Sequence, residues 1–223
     1  MKVFIVVPAF NEGHRLSAVL DDLAHTGHQV VVVDDGSRDQ TVEVGKRHGC
    51  YVLRHTFNRG QGAALQTGMT FALREGADAI VMFDADGQHQ TSDMPALLEP
   101  VLSGRVDVAL GNRFLSERSN VPAMRRVILQ LGRVFTWLTS GLRVGDCHNG
   151  YRAFSRKGAA AISMKQDRMA HASEIYDQIR AAGLSYEEVP VTIRYTAETL
   201  AKGQKLSNSV SVLFQYLYGK IAQ

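Results

Sequence analysis

The sequence predicts an α/β protein built on a doubly wound, mostly parallel sheet flanked by helices. Short β-branched runs recur at Val3 to Val7, Val30 to Val33, Tyr51 to Arg54, Ala79 to Phe83 and Val106 to Leu110. Stretches with helical spacing separate them. Strands fed in turn by right-handed crossover helices align in parallel, and such sheets hold ligands beyond the carboxyl ends of their strands.

Each element has its own local reason. The N-terminal "MKVFIVVPAF" carries an apolar run of only about five residues, stops at Pro8 and lacks a small-residue cleavage site, so it reads as a strand and not as a signal peptide. Leu16, Val19, Leu20 and Leu23 then fall at i, i+3, i+4 and i+7, one face of a helix ending near Gly27. Ser37, after Gly36, is the expected cap of the helix from Thr41 to His48, which Gly49 closes. A third helix is expected from about Gly62 to Arg74. The second half is less regular: an amphipathic helix from about Met124 to Leu138, a glycine-rich turn at "SGLRVGDCHNG", a helix near Ser173 to Ala182, a strand near Ser185 to Tyr195 and a last helix near Ser207 to Tyr218. No internal repeat, linker or low-complexity tract interrupts a single domain of residues 1–223.

Composition bounds the function. The 223 residues are 21% charged and 45% hydrophobic, values of a globular chain that folds without a partner. A formal charge of +3 is too small to attract nucleic acid by its overall field, so any phosphate binding rests on local Arg or Lys. Cys50 and Cys147 stand far apart in unlike contexts and suggest neither a disulfide framework nor a zinc site, which fits a reducing cytosol. No window approaches the roughly 18 to 20 apolar residues of a membrane span. A protein of this kind would serve a membrane from its surface.

The segments just after the strands are "PAFNE", "DDGSRD", "FNRGQG", "DADGQ" and "GNRF", and the topology gathers them along one rim. In "VMFDADGQHQ", Asp84 and Asp86 follow a core strand with only Ala85 between them, and Gly87 lets the chain turn so that both side chains converge. Converging carboxylates raise each other's pKa unless a cation offsets them, so this is a natural seat for Mg²⁺ or Mn²⁺, with Gln88 as a neutral oxygen ligand. A solvated Asp-rich turn is the other reading of the same residues. "VVVDDGSRD" repeats the design with Asp34 and Asp35, whose carboxylates can accept hydrogen bonds from a base or ribose. No Walker A or G-x-G-x-x-G loop occurs, so nucleotide phosphates would be held through the metal.

"VPAFNE", "VVVDDGSRDQT", "NRGQGAALQTGM", "FDADGQHQTSD", "GNRF" and "GYRAFSR", in this order and spacing, resemble family 2 glycosyltransferases of the GT-A fold, above all the group of dolichol-phosphate mannosyltransferase and other polyprenyl-phosphate glycosyltransferases. The resemblance covers roughly residues 1 to 195. It implies a nucleotide-sugar and metal-binding half at residues 1–115, an acceptor half at 116–200 and a C-terminal amphipathic helix at 201–223. Pro8, Ala9, Asn11 and Glu12 would line the nucleotide pocket, Asp35 would meet the base, and Asp84, Asp86 and Gln88 would hold the metal on the donor diphosphate. Arg59 would touch the donor or else be a surface Arg at a helix start.

By the same resemblance Arg113, Arg126 and Arg152 are candidates to grip an acceptor phosphate, which guanidinium matches as a planar fork. Arg113 and Arg152 stand in matched motifs and Arg126 does not, so a surface Arg is its other reading. Glu174 in "HASEIYD" is the positional candidate for the base that a sugar-hydroxyl acceptor needs and an ionised phosphate does not. The implied activity is transfer of a sugar from a nucleotide diphosphate donor to a polyprenyl-phosphate or lipid-linked acceptor by single-displacement inversion. The rivals are a saccharide hydroxyl acceptor in polysaccharide or O-antigen assembly and a nucleotide-sugar-binding module without turnover. The C-terminal Val210, Leu213, Phe214, Leu217, Tyr218 and Ile221 share one helical face, suited to a membrane surface, a small membrane-protein partner or the domain's own core. The expected place of action is the cytoplasm, peripherally on the inner face of the membrane.

Overall fold

A computed structural model describes residues 1–166 and 171–195. β1 (Val3–Ala9), β2 (Gln29–Asp34), β3 (Tyr51–Arg54), β4 (Ala79–Met82), β5 (Val108–Asn112), β6 (Arg152–Ser155) and β7 (Tyr186–Pro190) form one seven-stranded sheet in the order β3-β2-β1-β4-β6-β5-β7. Six strands run parallel and β6 runs antiparallel between β4 and β5. The doubly wound, mostly parallel expectation therefore holds, with one inserted strand that the sequence reading passed over.

Alternation along β1 explains the two layers. Val3, Ile5 and Val7 join Leu16, Val19, Leu20 and Leu23 of α1 (Gly13–Ala24) and Val44 of α2 (Thr41–Arg47). Leu97, Leu98 and Val101 of α4 (Met94–Leu102) complete that face. Phe4 and Val6 point the other way, onto Ala64, Leu65 and Met69 of α3 (Gln61–Arg74). α6 (Arg156–Ala161) and α7 (His171–Ala181) cover the far half of that face through Ala159, Ile175, Tyr176 and Ile179. Period two in the strand thus fills both cores at once. α5 (Ala123–Ser140) packs chiefly on α7.

The fifth strand begins at Val108 and not Val106, because the amide of Val106 is still tied to the Pro100 carbonyl at the end of α4. α4 itself, hidden in the sequence by Pro95 and Pro100, is a helix; Pro95 sits in its first turn, where no intrahelical donor is needed. Ser37 does not cap α2: Asp39 accepts from the Thr41 amide and hydroxyl, and the Ser37 hydroxyl accepts from the Asn11 amide. The expected helix at Ser207 to Tyr218 lies outside the described residues.

After β7 the chain runs as a strap back across the carboxyl end of the sheet. The amides of residues 191–195 donate in turn to the Asn112 carbonyl, Asp93 Oδ2, Ser119 Oγ, the Gln88 carbonyl and Asn120 Oδ1. Ile193 bridges His89 in antiparallel fashion. Extended backbone with every donor satisfied is fixed in register, so the strap ties the turn after β4 to the loop after β5.

Candidate active site

The carboxyl ends of β1 and β2 build the first wall. Pro8 and Ala9 end β1, and Asn11 adopts a left-handed φ of 54°, a strained setting for a non-glycine residue. Its side-chain oxygen accepts from the Arg38 amide at 3.0 Å, while the Glu12 amide donates to Thr41 Oγ1 at 3.2 Å. Asp35, buried, accepts from the amides of Arg59 at 2.9 Å and Gly60 at 2.7 Å and pairs with His55 Nδ1 at 2.7 Å. It therefore anchors the loop that opens α3, a task the sequence reading had not given it.

Past β4 the chain turns as expected, with Gly87 at φ 76°. Asp86 Oδ1 accepts from the Gln88 amide at 3.0 Å, and Asp84 Oδ1 accepts from Gln61 Nε2 at 2.9 Å. Burial, and then the Asp84 charge, push the Asp86 carboxyl up from its ordinary value. Burial also raises Asp84 against the opposing pull of Arg152 and Arg113. His89 Nδ1 accepts from the Asp84 amide at 3.2 Å, so in the neutral ring Nε2 carries the proton, and it faces Asp84 Oδ2 at 3.5 Å. The ring is stacked 4.7 Å over Tyr151, and burial lowers its pKa to about 4. His89 is thus a neutral brace for Asp84.

The donor set fits a hard divalent cation. At the strand end the charge of Asp84 bears on Asp86, and a Cβ on Gly150 would lie 2.7 Å from Asp84 Oδ2, so only glycine leaves that oxygen its space. Among the described residues no group of three or more His, Cys, Asp and Glu side chains is arranged around one ion. Mg²⁺ or Mn²⁺ would accordingly take Asp84 and Asp86 and fill its other positions from water and substrate oxygens. Gln88 shares the turn, bound to Asp86 through its backbone amide.

The second wall is cationic. Arg113 and Arg152 are 4% and 2% exposed, although they carry charge, and Asp146 is 2% exposed. Arg113 Nε donates to Asp146 Oδ2 at 2.5 Å, the Arg113 amide to the same oxygen at 3.1 Å, and Nη1 to the Tyr195 hydroxyl. Burial works against the Arg113 charge and Asp146 works for it, with the net direction upward. Arg152 Nη2 donates to the Tyr176 hydroxyl at 3.1 Å. Among the described residues, two buried side-chain polar atoms lack a hydrogen-bond partner: Asp146 Oδ1 and Arg152 Nε.

Two sequence candidates stand apart from this cluster. Arg126 lies exposed on α5. Glu174 is buried but turned to the loop before α7, accepting from the amides of Lys165 at 2.9 Å and Gln166 at 2.9 Å. Tyr176, two positions on, occupies the opposite side of the helix and meets Arg152. The sequence reading gave no part in this site to Gln61, His89, Gly150, Tyr151 and Tyr195, and weighed Asp146 only as a neighbour of Cys147 and His148 in a metal cluster it rejected. Spacing from "GNRF" and "GYRAF" gave no sign of Asp146, since its partner Arg113 is 33 positions away.

Known proteins resemble this chain in sequence and in fold. Residues 4–162 match the family model described as Glycosyl transferase family 2. A UDP-N-acetylglucosamine–dolichyl-phosphate N-acetylglucosaminyltransferase of Methanococcus voltae is 28% identical over 99% of this chain and 97% of its own. A polyprenol monophosphomannose synthase of Mycolicibacterium smegmatis is 30% identical over 86% of this chain and 77% of its own. Among solved structures, glucosyl-3-phosphoglycerate synthase of Mycobacterium tuberculosis, in complex with Mn²⁺, UDP and glucosyl-3-phosphoglycerate, superposes with a TM-score of 0.71 at 18% identity, over 97% of this chain and 77% of that one. At that identity the likeness speaks for the fold.

Proposed function

Because the chain belongs to glycosyl transferase family 2 and is a glycosyltransferase, we propose that it is a metal-dependent, inverting enzyme that moves a sugar from a nucleotide diphosphate donor to a polyprenyl-phosphate acceptor. The observation that carries the acceptor is the pair Arg113 and Arg152, both buried and both close enough to Asp84 to bias its ionisation. Buried guanidinium groups beside a donor site are suited to an anionic group, which they bind as planar forks. The named activities of the Methanococcus and Mycolicibacterium relatives, on dolichyl phosphate and polyprenol, support the same class.

Pro8, Ala9, Asn11 and Glu12 line the nucleotide side, where Asp35 and Arg59 order the wall. Asp84 and Asp86 hold the metal, with Gln88 beside them. The metal, when bound, stabilises charge on the departing diphosphate, and the Mn²⁺ and UDP in the solved mycobacterial structure favour that assignment. Arg113 and Arg152 turn the acceptor phosphate toward the sugar on the face opposite the leaving group, so one displacement inverts the anomeric carbon. A phosphate oxygen is already anionic at neutral pH and needs no base, which agrees with Glu174 being engaged by two backbone amides.

The enzyme works from a membrane surface. Among the described residues no helix is long and apolar enough to cross one. α5 instead exposes Val127, Val134, Trp137 and Leu138 beside Arg126 and Arg133, with Arg143 5.3 Å over the Trp137 ring. Its 18 residues include no Asp or Glu, a composition suited to an anionic bilayer. The test is release of nucleoside diphosphate from a panel of nucleotide sugars with Mn²⁺, with and without a polyprenyl phosphate. Lipid-dependent release by one donor is expected. Release stimulated only by saccharide acceptors would overturn the reading.

A further inference from the structure

The buried cluster behind the acceptor wall is uneven in its hydrogen bonds. Two guanidinium groups, Arg113 and Arg152, share one fully buried carboxylate, Asp146; both also act on Asp84 of the metal side, and the half-buried Glu188 accepts from the Asp146 amide at 3.3 Å. All of the donors that meet the Asp146 carboxylate arrive on one oxygen. Oδ2 takes Arg113 Nε, the Arg113 amide and Asn149 Nδ2 at 3.3 Å, while Oδ1, equally buried, takes none. Arg152 Nε is likewise unpaired. The Tyr176 hydroxyl joins the two sides, accepting from Arg152 and lying 3.4 Å from the Asp146 carbonyl.

Three donors on one carboxylate oxygen hold it in a single orientation, and a guanidinium bonded through Nε and the neighbouring backbone amide cannot swing. We propose that Asp146 is a positioning residue for the acceptor: it fixes Arg113 so that its fork faces the incoming phosphate. The Asp146 carboxylate bonds Arg113 and Asn149, so its influence on the acceptor passes through Arg113. The inference rests on the phosphate-acceptor reading above.

The test is a double-mutant cycle on acceptor binding, with farnesyl phosphate as the probe in the presence of Mn²⁺ and UDP. Asp146→Asn keeps the shape and removes the charge. It should weaken farnesyl phosphate by roughly tenfold or more, the effect expected for loss of a charge-assisted contact, and leave the affinity for UDP within about twofold. In an Arg113→Ala background the same substitution should have almost no further effect, because residues acting through one another are not additive. Additive losses, or an equal loss of UDP affinity, would show a merely structural role and overturn the proposal. If Asp146→Asn does not fold, Asp146→Glu provides the second arm: it keeps the charge but shifts the oxygen, and should weaken farnesyl phosphate with UDP affinity kept. Unchanged affinity in that variant would overturn the proposal too. A wild-type protein that binds farnesyl phosphate without transferring sugar to it would sink the function reading alone, whereas one that does not bind it sinks both.

Discussion

A methyl group on Gly150 would meet the carboxylate of Asp84, the far end of a side chain that can rotate away. Gly150→Ala should therefore fold, yet displace Asp84 and lose most of its Mn²⁺-dependent turnover; full activity in a steady-state assay would remove Asp84 from the metal site. The two aspartates also make a pH prediction. Their raised pKa values mean that the metal-free fold holds protons on them more tightly than the unfolded chain does. Their contribution to stability is then present below the ordinary carboxylate range and is lost as pH rises through the raised values. A cation binds the ionised pair, so Mn²⁺ should raise Tm at neutral pH, and the increment should vanish on acidification before pH falls to about 3.9, the usual value for Asp. Asp86→Asn should abolish it at every pH. An increment that persists undiminished to that pH, read by thermal shift, would contradict the assignment.

At the level of elements, α3 approaches the sheet through Gly68, where a Cβ would stand 2.3 Å from Val6 Cγ1 and 3.1 Å from Val33 Cγ2. β-branched side chains on central strands yield little, so Gly68→Ala should cost about 1–3 kcal/mol by overpacking, or roughly 2–4 °C of Tm per kcal/mol for a chain of this size. An unchanged Tm would mean that helix and sheet separate easily. α5 makes the converse case: Trp137 and Leu138 are exposed, so replacing both with Ser should spare Tm while weakening binding to anionic vesicles by about tenfold or more. Vesicle binding equal to wild type would refute the docking face. Of the elements, β1, β2 and β4 were legible because each is rich in β-branched residues and mostly buried on both faces. β6 was not, since "RAFS" is four residues long and begins with a charged side chain whose burial depends on Tyr176, far along the chain.

For the molecule as a whole, the rim was legible because topology alone sends the ends of parallel strands to one side; Asp84, Asp86 and the loop of Arg113 were found that way, whereas Arg152 and the acceptor role of Arg113 came from the family resemblance. What escaped were partners brought in by tertiary contact: Asp146 for Arg113, His89 for Asp84, and the strap of residues 191–195 that touches both neighbourhoods. That strap has an energetic corollary. Its Arg194 amide is bound to Gln88 and its Tyr195 hydroxyl to Arg113, so whatever settles the aspartate turn also settles the guanidinium. Thermodynamic linkage then requires each ligand to alter the other's affinity by one and the same factor, typically about 5- to 150-fold where coupling exists. Titrating UDP with Mn²⁺, with and without farnesyl phosphate, should show a factor above unity in the wild type and one close to unity in Tyr195→Phe; equal factors in the two proteins would dissolve the connection. Given that reciprocity, occupancy behaves cooperatively: intermediate, half-filled species are scarce, and a nucleotide sugar is seldom left activated beside an empty acceptor seat where water could take its place.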